Sequence, residues 1–405
     1  METLKKVFSY RMLIMLLTGY CAGFPLLLIG STLQAWMTDE GVDLKAVGLV
    51  SILGLPYVLK FLWAPLLDRF KLPFFGRRRG WMIVFQVALV ACIFGISLTN
   101  PKTDLLLVSV WAMLIAFFAA SQDIVLDAYR REILPEEELG LGSTLYVNGY
   151  RLAMLVSGAF ALHLADKISW KEVYQWLALL MAPAVLITFM APQENDHISA
   201  PKDLKTAVIG PLKDFFTRRG AWIMLLFILL YKVGDTMASN MTTPCILDLG
   251  YTKTDIATVA KTFGLGATIL GGLLGGTLML RMNMKWSLVC FGLLQAVSTL
   301  GFSLLVSLPM QLSSLAGVIA FENLASGMGT AAYAAYMASL TNKQFTATQY
   351  ALLTALMGVP RVILSSPTGW MAQELGWEIF FVVCTVIAVP GLLLLFKVFK
   401  LEQSK

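Results

Sequence analysis

Nine ionisable side chains lie inside long apolar stretches of the sequence. Placing such a group in the middle of a lipid bilayer costs roughly 2.5–3.5 kcal/mol on insertion scales, so it usually faces a partner or a watery cavity rather than lipid. The nine are Asp123, Asp127, Asp235, Glu322, Lys60, Arg151, Lys232, Lys261 and Arg361. Side chains of these types can carry protons or bind charged groups of a solute, so they are the candidates for function.

The four carboxyl groups are candidates for proton coupling. Asp123 and Asp127 are four residues apart, so they share one face of a predicted helix. Two carboxyl groups this close, and partly shielded from water, favour keeping one proton between them. The alternative for Asp127 is an ion pair with Arg130, three residues later, or with the loop after the second span. Asp235 and Glu322 are the other two candidates.

Lys232 lies three residues before Asp235, well inside an apolar stretch. The rise of about 1.5 Å per helical residue places both near mid-membrane. One hypothesis is that they form an ion pair with each other. The other is that Lys232 meets an anionic substrate while Asp235 holds the lysine in place or carries a proton. Both can be partly true.

The basic and polar side chains are candidates for substrate binding. A guanidinium group can bind a carboxylate or phosphate at two points, and Arg151 and Arg361 are such groups. The alternative is that they pair with Asp123, Glu322 or backbone carbonyls. Five cations against four carboxylates favour an anionic substrate. Further candidates for substrate contact are Gln122, Tyr57, Tyr150, Lys60, Lys232 and Lys261.

Twelve apolar stretches must position these side chains. The chain has 405 residues, of which 58% are hydrophobic and only 14% charged, which is too apolar for a soluble fold. A helix of about 20 residues crosses a hydrocarbon layer of about 30 Å. The predicted spans are 12–36, 46–66, 81–98, 104–126, 141–165, 172–191, 221–243, 255–279, 286–306, 313–338, 347–372 and 377–397. The sequence therefore predicts an all-α membrane protein.

The basic residues outside these spans are distributed unevenly between the two sides. With the N-terminus in the cytoplasm, 21 of them face the cytoplasm and 5 face the opposite side. This split obeys the positive-inside rule and predicts that both termini are cytoplasmic.

A polar interval divides the predicted spans into two sets of six. It covers residues 192–220 and is interpreted as a cytoplasmic linker between six-helix bundles at 1–191 and 221–405. At an offset of about 205–210 residues, the run Gly-Tyr-Arg ending at Arg151 corresponds to Val-Pro-Arg ending at Arg361. The prediction is two pseudo-symmetric bundles with a substrate site near mid-membrane, working by alternating access through rocking of the halves.

Other classes of site are disfavoured by the sequence. The five cysteines stand singly, without the paired spacing of a disulfide framework or a zinc site. The nucleotide-binding pattern G-x-x-x-x-G-K-[ST] does not occur, which argues against coupling to ATP hydrolysis in this chain. The expectation is a protein that is not an enzyme, needs no cofactor or metal, binds no nucleic acid, and uses H⁺ as its coupling ion.

The loop after the second span carries a recognisable signature. Residues 67–79 resemble the cytoplasmic D-R-x-G-R-R motif of the major facilitator superfamily, with five residues inserted after Phe70. This form is similar to that of the AmpG-type muropeptide permeases. Further stretches similar to that family are 120–128, 149–158, 230–235, 321–332 and 347–353. The resemblance implies a gating loop that contains Asp68, Arg69, Arg77 and Arg78.

The resemblance implies a function as well. AmpG-type permeases import anhydro-muropeptides, which are sugar-peptide fragments of cell-wall turnover, across the bacterial inner membrane under the proton-motive force, and this recycling feeds β-lactamase induction. The Gly/Pro-rich antiporter signature of the superfamily is missing from residues 151–166, which favours symport or uniport. The alternatives are transport of another anionic metabolite such as acetyl-CoA, or a receptor that binds muropeptides without moving them. The expected partners are lipid and an anionic sugar-peptide, and the expected state is a monomer.

Overall fold

The computed structural model describes residues 9–42, 50–73, 75–194, 201, 203–252, 255–359 and 367–403. Regular structure within these ranges is helical throughout. The helices before the central polar interval are α1 (Tyr10–Leu28), α2 (Ser31–Asp39), α3 (Leu55–Leu59), α4 (Ala64–Arg69), α5 (Arg79–Ser97), α6 (Leu105–Ile133), α7 (Leu139–Leu155), α8 (Ala161–Ala165), α9 (Trp170–Met181) and α10 (Pro183–Met190). Those that follow are α11 (Leu204–Phe216), α12 (Ala221–Leu230), α13 (Val233–Asp248), α14 (Gly264–Leu278), α15 (Met284–Ser307), α16 (Leu312–Ser339), α17 (Thr346–Val359) and α18 (Thr368–Gln403).

Eight helical segments of the described chain are long and apolar enough to cross a membrane. They are Tyr10–Asp39, Arg79–Ser97, Leu105–Ile133, Trp170–Met190, Ala221–Asp248, Thr258–Leu278, Met284–Ser307 and Thr368–Leu401. Each coincides with one of the twelve predicted spans. The all-helical membrane fold is therefore confirmed, while the count of twelve spans stays a prediction.

The other four predicted spans differ from the eight in composition or continuity. Residues 141–165 and 313–338 are helical, but polar and small side chains lower their hydropathy. Residues 46–66 form several short helical pieces where they are described. The span at 347–372 includes α17 and the start of α18, and its residues 360–366 lie outside the described chain.

The chain divides into two compact units. Unit 1 holds the described residues of Met1–Pro135, Leu145–Pro211 and Thr341–Ala355. Unit 2 holds those of Glu136–Thr144, Leu212–Leu340 and Leu356–Lys405. The first turns of α17 therefore belong to unit 1.

A tryptophan–aspartate hydrogen bond occurs once in each unit. In unit 1 the indole Nε1 of Trp170, at the start of α9, donates to Asp39 Oδ2 at 3.0 Å. In unit 2 Trp377 Nε1 donates to Asp248 Oδ2 at 2.6 Å, just after a break in α18 at Gly376, whose φ is 73°. The two bonds lie at corresponding places in the predicted sequence repeat.

Glycines let helices approach closely within unit 2. A Cβ added at Gly271 of α14 would lie 2.2 Å from the backbone oxygen of Leu324, and one at Gly275 would lie 2.8 Å from the Cα of Met328. Both neighbours belong to α16. The glycine-rich stretch of the predicted eighth span therefore packs against another helix, as small residues do in membrane proteins.

Candidate functional site

Lys60 and Asp123 form a buried ion pair in unit 1. Lys60 begins a short 3₁₀ turn, Lys60–Leu62, and Asp123 lies in the long helix α6 (Leu105–Ile133). The ammonium Nζ is 2.8 Å from Asp123 Oδ2, and the two side chains are 5% and 15% exposed. The same Nζ is 4.0 Å from Asp127 Oδ2. The lysine that was a candidate for substrate contact is therefore engaged by a carboxylate in this structure.

Asp127 has a second cation, on its own helix. Arg130 Nη2 is 3.1 Å from Asp127 Oδ1, which is the ion pair that the sequence left open as an alternative. Arg130 also donates to the hydroxyl of Tyr350 at 2.6 Å and lies over the ring of Tyr146, 4.3 Å from its centroid. This cluster of unit 1 therefore holds two carboxyl groups and two cations.

Two predicted substrate residues of unit 1 have polar atoms without a hydrogen-bond partner in the described structure. Gln122 is fully buried, and its Nε2 donates to the carbonyl of Cys21 at 2.7 Å, which joins α6 to α1, while its Oε1 accepts no bond there. The hydroxyl of Tyr57 is likewise unbonded, and its ring borders a cavity of about 210 Å³ that Gln34 also lines. Each of these two atoms can therefore form a further hydrogen bond.

Tyr150 and Arg151 lie half-buried on α7 (Leu139–Leu155), and both are engaged in interactions within the structure. Gly23 of α1 faces this part of α7, since a Cβ added there would lie 2.3 Å from the Tyr150 carbonyl oxygen. The close approach of α1 fixes the position of both candidates.

Lys232, Asp235 and Glu322 come together in unit 2. Lys232 lies between α12 and α13, and Asp235 lies in the first turn of α13, where a carboxylate is favoured by the helix dipole. Lys232 Nζ is 3.0 Å from Asp235 Oδ2 and 3.2 Å from Gln295 Oε1. Glu322 accepts a hydrogen bond of 2.6 Å from Ser298 Oγ, and Asp235 is its electrostatic neighbour. The predicted ion pair is present and includes a second carboxyl group.

Two further predicted substrate residues cannot be placed. Arg361 lies outside the described residues, and the side chain of Lys261 is likewise undescribed, although its backbone belongs to the π-helix Ile256–Phe263. Both stay predictions from the sequence.

The predicted gating loop contains a buried network of charges in unit 1. The guanidinium of Arg78 lies 2.7 Å from Asp68 and 2.7 Å from Glu132, and these three side chains are completely buried. Arg77 also binds Glu132, at 2.7 Å. Burial alone would lower the pKa of Arg78, but the charges of Glu132 and Asp68 and their hydrogen bonds raise that pKa above its ordinary value. Arg78 therefore stays charged inside the network.

Asp68 also caps the first turn of α17 (Thr346–Val359). It accepts hydrogen bonds from the backbone N–H groups of Ala347 at 3.2 Å and Thr348 at 2.8 Å, and from the Thr348 hydroxyl at 2.7 Å. The first N–H groups of a helix have no partner within the helix, so a carboxylate at this position satisfies them and complements the helix dipole. Arg77 adds a bond of 3.2 Å to the carbonyl of Lys343.

Arg69 differs from the rest of the predicted loop. Its guanidinium lies 5.7 Å from the ring centroid of Phe70. Arg69 is absent from the buried Arg78 network of the described residues, so the structure brings together Asp68, Arg77 and Arg78 but leaves Arg69 at the edge.

The sequence reasoning missed several members of these clusters. Glu132 follows the arginine pair at the end of α6, and a buried arginine network needs such an acid, which was a usable signal. Glu194, whose Oε1 accepts from the Arg78 backbone N–H at 2.6 Å, stands in the central polar interval and gave no signal. Ser298 and Tyr350 are uncharged and look like ordinary helix residues.

Comparison with known proteins gives the relationships of the chain. The family model of the Major Facilitator Superfamily matches residues 12–363 and 232–405. The anhydromuropeptide permease of Escherichia coli strain K12 is 46% identical over 387 residues, which cover 95% of this chain and 79% of that relative. An uncharacterized protein of Haemophilus influenzae is 42% identical over 98% of this chain and 97% of its own length. A Rickettsia conorii relative that carries the name AmpG 1 is 34% identical over 96% and 98%.

A solved structure shows the same fold. The proton:xylose symporter XylE, bound to 6-bromo-6-deoxy-D-glucose, superposes with a TM-score of 0.70 over 96% of this chain and 94% of its own, at 11% sequence identity. At that identity the similarity concerns the fold alone. The match to the family model and the relatives above establish that the chain belongs to the Major Facilitator Superfamily and, within it, to the AmpG-type permeases.

Proposed function

We propose that this protein imports anhydro-muropeptides from the periplasm to the cytoplasm, together with protons. The observation that carries the proposal is the 46% identity, over 95% of the chain, to a protein named anhydromuropeptide permease. The membrane-spanning helices and the superfamily membership support transport as the activity. Import of this kind returns cell-wall fragments to the cytoplasm, where they feed β-lactamase induction.

The proposed architecture follows from the sequence. Twelve spans in two six-helix bundles, at 1–191 and 221–405, are joined by the linker 192–220, with both termini in the cytoplasm of a bacterial inner membrane. The proposed working unit is a monomer that uses no cofactor. Its twofold repeat is supported by the matching tryptophan–aspartate bonds in the two units.

The proposed substrate contacts are cations for the peptide carboxylates and polar or aromatic groups for the sugars. Arg151, Lys232 and Arg361 are the proposed carboxylate-binding residues because each is a cation in or near a predicted span. Gln122 and Tyr57 suit the sugars, since each has a polar atom with unused hydrogen-bonding capacity among the described residues. Tyr150, Lys60 and Lys261 complete the proposed set.

The proposed role of the loop after α4 is gating. Asp68 holds the first turn of α17 and is itself held by Arg78. We propose that this capping contact forms in one part of the transport cycle and is released in another. A buried, charge-assisted contact suits such a switch for two reasons. Its hydrogen bonds are strong when both partners are in place, and a buried charge that has lost its partner destabilises the protein.

Entrance counterflow tests the substrate class without any proton gradient. Proteoliposomes preloaded with unlabelled GlcNAc-anhydroMurNAc-tripeptide should take up the labelled compound transiently above its equilibrium level, and excess acetyl-CoA should not compete. If acetyl-CoA inhibits the uptake and unlabelled muropeptide does not, the substrate is an anionic metabolite of the acetyl-CoA type and not a muropeptide. Saturable binding without counterflow would indicate a receptor.

A further inference from the structure

The cluster of Lys232, Asp235 and Glu322 has two carboxyl groups for one lysine among the described residues of unit 2. The lysine donates to Asp235 at 3.0 Å, and Ser298 donates to Glu322 at 2.6 Å. The two carboxyl groups are also electrostatic neighbours of each other. Glu322 is 8% exposed, so water contributes little to this arrangement.

Two neighbouring carboxyl groups can form a hydrogen bond with each other only when one of them carries a proton. An ionised carboxylate can only accept hydrogen bonds, so two ionised groups have nothing to share. With one proton, the charges of Lys232, Asp235 and Glu322 sum to zero. Without it, the cluster holds one uncompensated negative charge in a buried, membrane-spanning position, which is the costly arrangement.

The corresponding cluster in unit 1 has a different balance. Asp123 is paired with Lys60 at 2.8 Å, and Asp127 is paired with Arg130 at 3.1 Å. Each carboxylate therefore has a cation beside it. The two clusters thus differ in their charged groups: two cations lie with two carboxyl groups in unit 1, and one lysine lies with two carboxyl groups in unit 2.

We infer that Asp235 and Glu322 together hold one exchangeable proton and that this pair is the proton-coupling site. The inference deepens the proposed function and rests on it for the word coupling, whereas the bound proton can be tested alone. A proton adds to one carboxylate to give the carboxylic acid, which donates to the other carboxylate. Besides Glu322, the titratable groups of the described residues that interact with Asp235 are Tyr231 and Lys232.

Access for the proton and for an anion is available at this cluster. A cavity of about 10 Å³ borders Asp235 and Gln295, with room for about one water molecule that can pass a proton. The side chain of Lys232 is 15% exposed, so an anion can approach it.

The net charge of Lys232, Asp235 and Glu322 determines how the pair couples a proton to an anionic substrate. When the pair is protonated the cluster is neutral, and Lys232 can accept a carboxylate of the substrate. When the pair has lost its proton, two carboxylates compete for Lys232 and repel the incoming anion. Proton and anion therefore favour each other's binding, and by linkage the effect is reciprocal. This mutual dependence is what symport requires.

Infrared spectroscopy of the purified protein in lipid tests for the bound proton directly. The wild type should show, at neutral pH, a carboxylic-acid C=O band that is lost on raising the pH. Glu322→Gln and Asp235→Asn should each lack this band, because either change leaves one carboxylate paired with Lys232. Asp123→Asn is the matched control and should retain the band, since Asp123 has its own lysine.

The infrared and counterflow results together distinguish a failure of the proton site from a failure of the proposed transport function. Absence of the band in the wild type, or its persistence in both Glu322→Gln and Asp235→Asn, would overturn the inference. Failure of muropeptide counterflow with the band behaving as expected would overturn the proposed substrate but leave the proton site in place. Counterflow by Glu322→Gln also checks that the variant is folded.

Discussion

Replacing Asp68 by asparagine tests the capping contact at α17. Asp68 uses both oxygens: Oδ1 accepts from the Ala347 N–H and from Arg78, and Oδ2 accepts from the N–H and hydroxyl of Thr348. In either orientation, the Asn amide presents its NH₂ group, a donor, to one of these two sets of donors. The substitution also removes the negative charge that faces the buried guanidinium of Arg78.

The size of the effect follows from these bonds. A hydrogen bond to a charged group contributes about 1.5–3 kcal/mol, and removing one partner of a buried ion pair costs about 3–5 kcal/mol. We therefore expect release of the first turn of α17 to become easier by about 3–5 kcal/mol. Since about 1.4 kcal/mol is a factor of ten, the open population should rise roughly 10²- to 4 × 10³-fold.

Hydrogen–deuterium exchange measures this release at the amides concerned. Exchange of a protected amide follows the population of the locally open state, so peptides that cover 346–355 should exchange far faster in Asp68→Asn. Arg69→Gln is the matched control, because Arg69 lies in the same loop but outside the buried Arg78 network, and its exchange should equal that of the wild type. Equal protection of 346–355 in Asp68→Asn and wild type would refute the capping role.

Two further changes test the packing and the ion pair of the membrane-spanning helices. Gly271→Ala should lower the melting temperature through overpacking worth about 1–3 kcal/mol, because the new Cβ would lie 2.2 Å from the Leu324 oxygen, whereas Gly266→Ala on the same helix has nothing within 4 Å and should melt like the wild type. Lys60→Met should destabilise the protein by about 3–5 kcal/mol by leaving Asp123 without its cation, and adding Asp123→Asn should recover most of the loss. Both are measured by thermal unfolding in detergent; equal melting of the two alanine variants, or a double variant no more stable than Lys60→Met, would contradict the reasoning.

The sequence predicted the features that depend on residues close together in the chain. Apolar runs of sufficient length marked the eight spans found in the described chain, since hydrophobicity decides which segments enter lipid. Spacing of three residues likewise anticipated the pairs Asp127–Arg130 and Lys232–Asp235, because neighbours on one helix face meet whatever the rest of the fold does.

Contacts between distant segments could not be read in the same way. Lys60 was treated as free for substrate because its partner Asp123 lies on another span, and no local pattern joins the two. The same holds for Asp68 and Thr348, which are separated by most of the chain. Ser298 was missed because a hydroxyl inside an apolar helix usually bonds to its own backbone and carries no distinctive signal.

The division of roles between the two charged clusters also needed the structure. The sequence grouped Asp123, Asp127, Asp235 and Glu322 as equal candidates for the proton. Only the geometry shows that each of the first two is paired with a cation, whereas of the last two Asp235 is paired with Lys232 and Glu322 is bonded to Ser298 in the described structure. Counting charges along the sequence cannot make that distinction, because it does not say which groups meet.

Proton-driven accumulation of the muropeptide tests the central claim most directly. With the membrane potential clamped at zero, an inward gradient of about one pH unit supplies about 1.4 kcal/mol, which is enough for about tenfold accumulation in one-to-one symport. Proteoliposomes of the wild type should concentrate labelled GlcNAc-anhydroMurNAc-tripeptide to that extent, while Glu322→Gln should equilibrate it without accumulation. Uptake by the wild type that stops at equal concentrations inside and outside would contradict proton-coupled import.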